Sequence, residues 1–289
     1  QNVKHILPRL GVYKRDAFLC IGLTTLEVIM EILLPFITAK LLAEGLEAGH
    51  MPAVYRYGAI LVVLSLLSLT FGALAGKFAA SASTGMAATL REAIYDNIQT
   101  FSFSNIDKFS VPGLVTRMTT DITNVQQAFM MIIRIAVRSP LTLVFSFAMC
   151  MYINVELSLT FLIALGFLVV VIGTIMFTTL RIFNRVFRKY DDLNASVQEN
   201  VSAIRVVKAF VRERYEDGKF ARASKNLRDL SVKAEGLLAF NAPAMMIAVY
   251  FCIIMVSWMG AHFIVVDGTL TTADLTSLYS YIMSLLMSL

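Results

Sequence analysis

Charged residues are scarce in this sequence. Only 16% of its 289 residues are Asp, Glu, Lys or Arg, while 57% are hydrophobic, and the mean hydropathy is +0.71. Soluble globular domains carry about 25% charged residues. The composition therefore excludes an ordinary soluble domain and indicates a membrane protein.

Cysteine and histidine are also rare. The three cysteines, Cys20, Cys150 and Cys252, lie singly within apolar segments, and the three histidines are scattered along the chain. Neither set has the spacing of a metal site, so we expect no metal in this chain. The basic residues flank apolar segments instead of forming one patch interleaved with aromatic residues, so nucleic acid is not an expected partner.

Proline and glycine are nearly missing where positive charge is concentrated. Residues 181–233 hold about half of the 25 Lys and Arg residues. Each Lys or Arg at a bilayer centre costs about 2.5–3.5 kcal/mol, so this segment is expected to lie in water. Between Arg185 and Glu235 there is no proline, and Gly218 is the only glycine. We therefore predict two long helices joined by a short element.

The short element is predicted to expose an apolar face. Five apolar residues recur there at helical spacing: Ala203, Val206, Val207, Phe210 and Val211. Basic residues occupy the other faces of this helix. An apolar face in water needs a partner, which is either another protein or only the neighbouring helices of the same chain.

Long apolar segments predict six membrane-crossing helices. Their approximate ranges are 16–44, 57–76 with an extension to about 100, 140–155 in a helix that begins near 114, 157–180, 236–266, and 273 onward. Residues 1–15 mix apolar and basic side chains, which favours an interfacial elbow helix. The sixth segment has about seventeen residues by Leu289, so we expect residues 16–289 to be a domain truncated in its sixth helix.

The distribution of Lys and Arg predicts the orientation. Nearly all of them lie in the amino-terminal segment and in the loops 77–138 and 181–233. The positive-inside rule then places the amino terminus and both loops in the cytoplasm. We expect a multi-pass protein of the inner or plasma membrane.

Two loop sequences resemble those of a known transporter family. The segments Leu90–Asn105 and Gly113–Asp121 resemble the first intracellular loop of multidrug-type ABC exporters, with a departure at Val115 and Thr116 from the pattern G-x-L-x-[ST]-R-x-x-x-D. The segment Glu199–Phe210 is similar to the second loop, E-x-[LV]-x-G-[IV]-R-x-[IV]-K-[AS]-[FY], with Ala in place of the common Gly.

A finer resemblance concerns the type of exporter. Phe103–Asp107 and Met130–Pro140 look closest to one half of the bacterial heterodimeric exporters. The resemblance covers essentially the whole chain. It implies an all-α membrane protein with the fold of the type-1 ABC exporter transmembrane domain, whose six long helices extend into the cytoplasm.

The resemblance also implies two coupling helices that dock on nucleotide-binding domains. The first comprises Asn105, Ile106, Asp107, Lys108 and Phe109, and the second Ala203, Arg205, Val206, Val207, Lys208 and Phe210. A nucleotide-binding domain, with its ATP and Mg²⁺, is expected after residue 289, and a second transmembrane half is expected as partner. The implied function is ATP-driven export of hydrophobic or amphipathic molecules by alternating access, with no catalytic residue in this stretch.

Two acidic residues in the first apolar segment form a candidate substrate site. Glu27 and Glu31 share one helix face and are costly in the bilayer unless they face water, a cation or a shared proton. They either line a wet cavity that attracts cationic amphiphiles or make polar packing contacts. Further cavity candidates, which could equally face lipid, are Phe145, Met149, Met245, Tyr279 and Met283. Arg134 and Arg138 are expected to extend toward the headgroups.

The segment Gly72–Lys77 superficially resembles a phosphate-binding loop. Its glycines are separated by three residues instead of four, and Phe78 replaces the Ser or Thr after the lysine. We interpret it as a GxxxG surface for helix packing. Other functions left open are an ABC exporter of lipid or peptide, a channel or secondary carrier outside the family, and a membrane scaffold without transport.

Overall fold

The protein is helical in every range that its computed structural model describes, namely residue 11, residues 13–102 and residues 110–288. No strand occurs in these ranges, which confirms the predicted all-α class. Most of the predicted elbow helix, residues 1–15, lies outside the described residues. The first coupling helix, Asn105–Phe109, lies wholly outside them.

The helices follow the order of the predicted apolar segments. They are α1 (Lys14–Lys40), α2 (Met51–Gln99), α3 (Val111–Thr116), α4 (Ile122–Ile153), α5 (Val155–Ser202), α6 (Ile204–Ala209), α7 (Glu213–Ala239), α8 (Asn241–Val265) and α9 (Thr272–Met287). Two π-helical segments, Leu41–Glu47 and Arg117–Asp121, continue α1 and lead into α4.

Five stretches of the described chain are long and apolar enough to cross a membrane. They are 14–47, 51–99, 111–153, 155–202 and 213–265. The sixth predicted crossing begins where expected, as α9, which spans 16 residues and is therefore shorter than the others. The structure thus contains five stretches of spanning length and one short apolar helix.

The helix ends have local causes. Asn154 adopts an extended conformation after α4, and its side-chain carbonyl accepts a hydrogen bond from the Leu157 N–H at 3.0 Å, which starts α5. At α9, the Thr271 hydroxyl accepts from the Asp274 N–H and the Asp274 carboxylate accepts from the Thr271 N–H, a capping box. The fifth helix thus follows the fourth after a single non-helical residue, close to the boundary that the predicted third and fourth crossings share.

The longest helices exceed the thickness of a bilayer. The 49 residues of α2 extend about 73 Å at 1.5 Å per residue, more than twice the roughly 30 Å of hydrocarbon. The 48 residues of α5 reach almost as far. Both helices therefore project well beyond the membrane, as the charge distribution predicted.

The chain divides into two compact units, and the first runs to Ser158 and resumes at Val256. Within it α1, α2, α4 and α9 pack together, and α1 against α2 is the most extensive pairing. Buried small residues of α2, Ala79 and Ala82, contact Cys20 and Ile133. Small side chains let helix backbones approach closely, which is how helices associate in lipid.

The outer surface of this first unit is apolar. On α2, Val62, Leu66 and Leu69 are each more than half exposed. Contiguous exposed apolar surface of this kind is unsuited to water and suits contact with lipid.

The second unit comprises Leu159–Met255. Its apolar part contains a cavity of about 220 Å³ between α5 and α8, lined by Ile163, Ala164, Phe167, Ile247, Ala248 and Phe251. Its polar part contains α6, α7 and the basic half of α5. The predicted arrangement of two long helices joined by a short element is confirmed.

A buried tyrosine holds α9 against α1. Pro35 lies inside α1 and removes one backbone N–H from the helical ladder. In the preceding turn, the Tyr281 hydroxyl donates to the Ile32 carbonyl at 2.8 Å, and the Tyr281 side chain is buried. The bond satisfies the buried Tyr281 hydroxyl and joins α9 to α1.

Tyr281→Phe is expected to lower the free energy of unfolding by about 1 kcal/mol, since it removes a buried hydrogen bond between α9 and α1 at nearly constant volume. Thermal unfolding of the detergent-purified full-length protein measures this loss. Tyr250→Phe, at an exposed tyrosine, is the matched control. Equal unfolding temperatures for the two variants contradict the prediction.

Candidate functional site

One arginine joins two glutamates in the first unit. The Arg138 guanidinium, on α4, donates through Nη1 to Glu27 Oε1 at 2.7 Å, and through Nη2 to both carboxylate oxygens of Glu31 at 2.8 Å. The four-residue spacing places both carboxylates on one face of α1, so a single planar guanidinium reaches both. Pairing lowers the cost of placing these charges in an apolar segment.

The expectation that Arg138 extends toward the headgroups is wrong. Its side chain turns inward because two carboxylates lie within hydrogen-bond distance, and these compensate the charge better than a distant interface does. The contact supports the polar-packing interpretation of Glu27 and Glu31. The sequence did not predict these ion pairs, because Arg138 lies 111 residues from Glu27 and 107 residues from Glu31. Opposite charges within separate apolar segments are the signal that could have found it.

The two glutamates differ in burial. The Glu27 side chain is 8% exposed and that of Glu31 is 37% exposed. Among the described residues, Oε2 of Glu27 is buried and has no hydrogen-bond partner. Arg138 therefore satisfies Glu31 completely but only one oxygen of Glu27.

The GxxxG segment of α2 makes room for these charges. A Cβ atom added at Gly72 lies 2.9 Å from Glu27 Oε1, closer than side chains tolerate, and one added at Gly76 lies 3.6 Å from Arg134 Nη1. Gly72 and Gly76 face charged groups of α1 and α4. The predicted packing role of this segment is therefore supported, with polar neighbours that the sequence did not indicate.

A cavity of about 570 Å³ opens beside this cluster. Its lining residues in the described chain are Glu27, Glu31, Leu34, Ser65, Ser68, Leu69, Gly72, Ala73, Gly76 and Arg134. Its volume falls within the range of small-molecule sites, about 300–1,000 Å³. The cavity combines carboxylate, guanidinium and hydroxyl groups with two leucine side chains.

The other predicted cavity residues do not meet there. Phe145 and Met149 lie on α4, and Tyr279 and Met283 on α9, away from the lining given above. Tyr279 Oη shares a hydrogen bond of 2.7 Å with Ser257 Oγ. Met245 belongs to the second unit. For these five residues, contact with substrate stays a prediction.

A second candidate site is the tip of the second unit, which we define as residues 203–212. The helices on either side of the tip are joined by polar contacts: Lys219 Nζ lies 3.1 Å from Glu199 Oε2, and Asn200 Nδ2 donates to Glu216 Oε2 at 3.3 Å. The Glu199 carboxylate raises the pKa of the Lys219 ammonium, which lies in the polar helix α7. These contacts fix α5 and α7 to each other at the tip.

The tip exposes apolar side chains. Phe210 is 74% exposed and Val211 is 81% exposed, and Ile204 and Val206 are also exposed. Arg205 and Lys208 are exposed on the same short helix, while Ala203 and Val207 are half-buried. Exposed large apolar groups of this kind are typical of surfaces that contact another protein or a membrane.

The predicted continuous helical stripe is wrong at its end. Helix α6 stops at Ala209, and Val211 has φ = 50°, a left-handed conformation that is costly for a β-branched residue. Phe210 and Val211 therefore lie in the turn that leads to α7. The pattern also omitted Ile204, which the structure exposes.

Comparison with known proteins gives the family. The sequence model of the ABC transporter transmembrane region matches residues 17–289. The chain therefore belongs to the family of ABC transporter transmembrane domains, and it is part of a multi-pass membrane protein. A channel or secondary carrier outside this family is not supported.

The relatives come from bacteria. The chain is 28% identical over 269 residues to the uncharacterized ABC transporter ATP-binding protein YfiB of Bacillus subtilis, covering 93% of this chain and 47% of that protein. It is 26% identical over 285 residues to the uncharacterized ABC transporter ATP-binding protein Rv1273c of Mycobacterium tuberculosis, covering 99% and 48%. The chain thus spans about half the length of these curated relatives.

A further relative has a named activity. The chain is 24% identical over 192 residues to the ATP-dependent lipid A-core flippase of Pseudomonas fluorescens, covering 66% of this chain and 32% of that protein.

Arg138→Gln is expected to destabilise the full-length protein by about 1–3 kcal/mol, because it leaves the buried Glu27 carboxylate without its cation. Adding Glu27→Gln to this variant should restore part of the loss, since the buried charge is then removed. Unfolding of the two single variants and the double variant measures the coupling. Additive losses contradict the ion pair.

Proposed function

We propose that this chain is the membrane domain of an ATP-driven exporter that moves hydrophobic or amphipathic molecules out of the cytoplasm. The proposal rests on the tip, an apolar surface at the end of α7 and of the basic half of α5. A surface in this position cannot serve lipid contact. It suits the docking of a soluble motor domain.

The motor domain supplies the ATP chemistry. Residues 72–77 do not form a phosphate-binding loop, because Gly72, Gly76 and Lys77 lie inside the continuous helix α2, where backbone N–H groups are already used within the helix. ATP and Mg²⁺ therefore bind to nucleotide-binding domains outside this stretch. Residues 105–109 and 203–210 are the proposed coupling helices, and only the second lies within the described residues.

Transmission of motion follows from helix stiffness. Closure of two nucleotide-binding domains moves the tips, and the contacts of Glu199 with Lys219 and of Asn200 with Glu216 make α5 and α7 move together. The membrane segments then tilt as near-rigid bodies, and the cavity changes from inward-facing to outward-facing.

We place the amino terminus and both long loops on the cytoplasmic side of an inner or plasma membrane. The partner is a second transmembrane half, which we propose to be unlike this one.

A second candidate is export of lipid by the same mechanism. One relative is named a lipid A-core flippase, and the cavity beside Glu27 has both charged and leucine side chains in its wall. A lipid has the same combination of a polar headgroup and apolar chains. This candidate differs from the first only in cargo.

Phe210→Ala in the assembled transporter is expected to reduce substrate-stimulated ATP hydrolysis and transport about tenfold, because truncation of a buried aromatic at an interface costs roughly 1.4 kcal/mol or more. Membrane insertion and unfolding temperature should stay unchanged, since the side chain is exposed in this chain. ATP hydrolysis and transport in proteoliposomes measure the effect.

Phe220→Ala is the matched control, because Phe220 is also an exposed phenylalanine but lies on α7 away from the tip. If the Phe210→Ala variant hydrolyses ATP and transports substrate as the wild type does, the docking role of the tip is contradicted. Absence of ATP-dependent transport in the wild-type protein contradicts export itself and favours a scaffold.

A further inference from the structure

We propose that the cavity between α1, α2 and α4 binds a zwitterionic headgroup, with its ammonium on Glu27 and its phosphate on Arg134. The proposal that the ligand is also transported rests on the proposed export function. Two charged groups of the cavity wall are not fully compensated by the described residues of the protein itself.

The first group is the carboxylate of Glu27. Arg138 Nη1 bonds Oε1 at 2.7 Å, while Oε2 is buried without a hydrogen-bond partner in the described chain. The Glu27 side chain lines the cavity. A buried, unpaired carboxylate oxygen is costly, and an ammonium N–H is the donor that satisfies it best.

The second group is the guanidinium of Arg134. It lines the same cavity, and no carboxylate of the described residues lies within ion-pair distance of it. A guanidinium in a membrane segment is costly without a counter-charge. Its planar donors match phosphate oxygens in pairs.

The spacing of the two glycines that these groups face suits one headgroup. The Glu27 carboxylate faces Gly72 and the Arg134 guanidinium faces Gly76. Gly72 and Gly76 are one helical turn apart, about 5–6 Å along α2. A primary ammonium joined to a phosphate by a short linker, as in phosphoethanolamine, spans this distance.

The wall of the cavity suits the remainder of an amphiphile. The hydroxyls of Ser65 and Ser68 offer further hydrogen bonds, and Leu34 and Leu69 offer apolar contact. Leu69 is also 68% exposed on the apolar outer surface. An acyl chain can therefore lie along α2 while its headgroup occupies the cavity.

The test is equilibrium binding to the purified full-length transporter without nucleotide, measured by isothermal titration calorimetry. Three probes separate the two charges: dihexanoyl phosphatidylethanolamine carries both, its N-acetyl derivative keeps only the phosphate, and dodecylamine carries only the ammonium. The wild-type protein is expected to bind the first probe about tenfold more tightly than either of the others, because each of the others lacks one charge-assisted bond.

The variants should separate in the same way. Glu27→Gln should weaken binding of the two amine probes about tenfold and leave the N-acetyl probe unchanged. Arg134→Gln should weaken the two phosphate probes and leave dodecylamine unchanged. Glu156→Gln and Arg181→Gln are matched controls outside the cavity lining and should bind all three probes as the wild type does.

Ser68→Leu provides a test without a change of charge, since it fills the cavity and should weaken all three probes while the unfolding temperature stays unchanged. Free phosphoethanolamine, if it binds as tightly as the lipid, supports the site and assigns it a soluble ligand.

Two outcomes overturn the proposal: equal wild-type affinity for the three probes, or equal loss for all three probes in Glu27→Gln and Arg134→Gln. Selective binding without ATP-driven transport supports the site and contradicts export. Transport without selective binding contradicts the site alone.

Discussion

The exclusion of uncompensated charge from lipid governs this structure. A chain with apolar segments of spanning length and one strongly basic segment can satisfy its backbone only as helices, and its basic segment must lie in water. Helices α2 and α5 therefore continue far past the apolar segments that begin them. The same constraint makes the exposed apolar residues at the tip unusual, and we therefore propose that they contact another protein.

The charges that do occur within apolar segments are concentrated in one place. Arg138 binds Glu27 and Glu31, and the small residues of α2 leave space for the Glu27 carboxylate and the Arg134 guanidinium. The cluster ties α1 to α4 and forms part of a cavity wall. Arg138 serves structural ion pairing, and Arg134, which has no carboxylate within ion-pair distance among the described residues, is the residue that we propose for ligand binding.

Helix positions were predictable because their causes are local. The break at Asn154, the start of α9 and the extension of α2 to Gln99 all follow from nearby charge, capping residues and apolar length. The pairing of Arg138 with Glu27 was not predictable from spacing, because it joins helices distant in sequence. The predicted stripe failed at Val211 because helical periodicity does not anticipate a left-handed residue.

The proposed contact of the tip with a nucleotide-binding domain is the one on which the export mechanism depends. Its most direct test places the photo-crosslinker p-benzoylphenylalanine at position 210 of the full-length transporter in native membranes, with the same group at position 220 as control. If the proposal holds, irradiation cross-links position 210 to a nucleotide-binding domain with and without ATP, and position 220 far less. Cross-links from position 210 only to lipid or to this same domain, in every nucleotide state, contradict it.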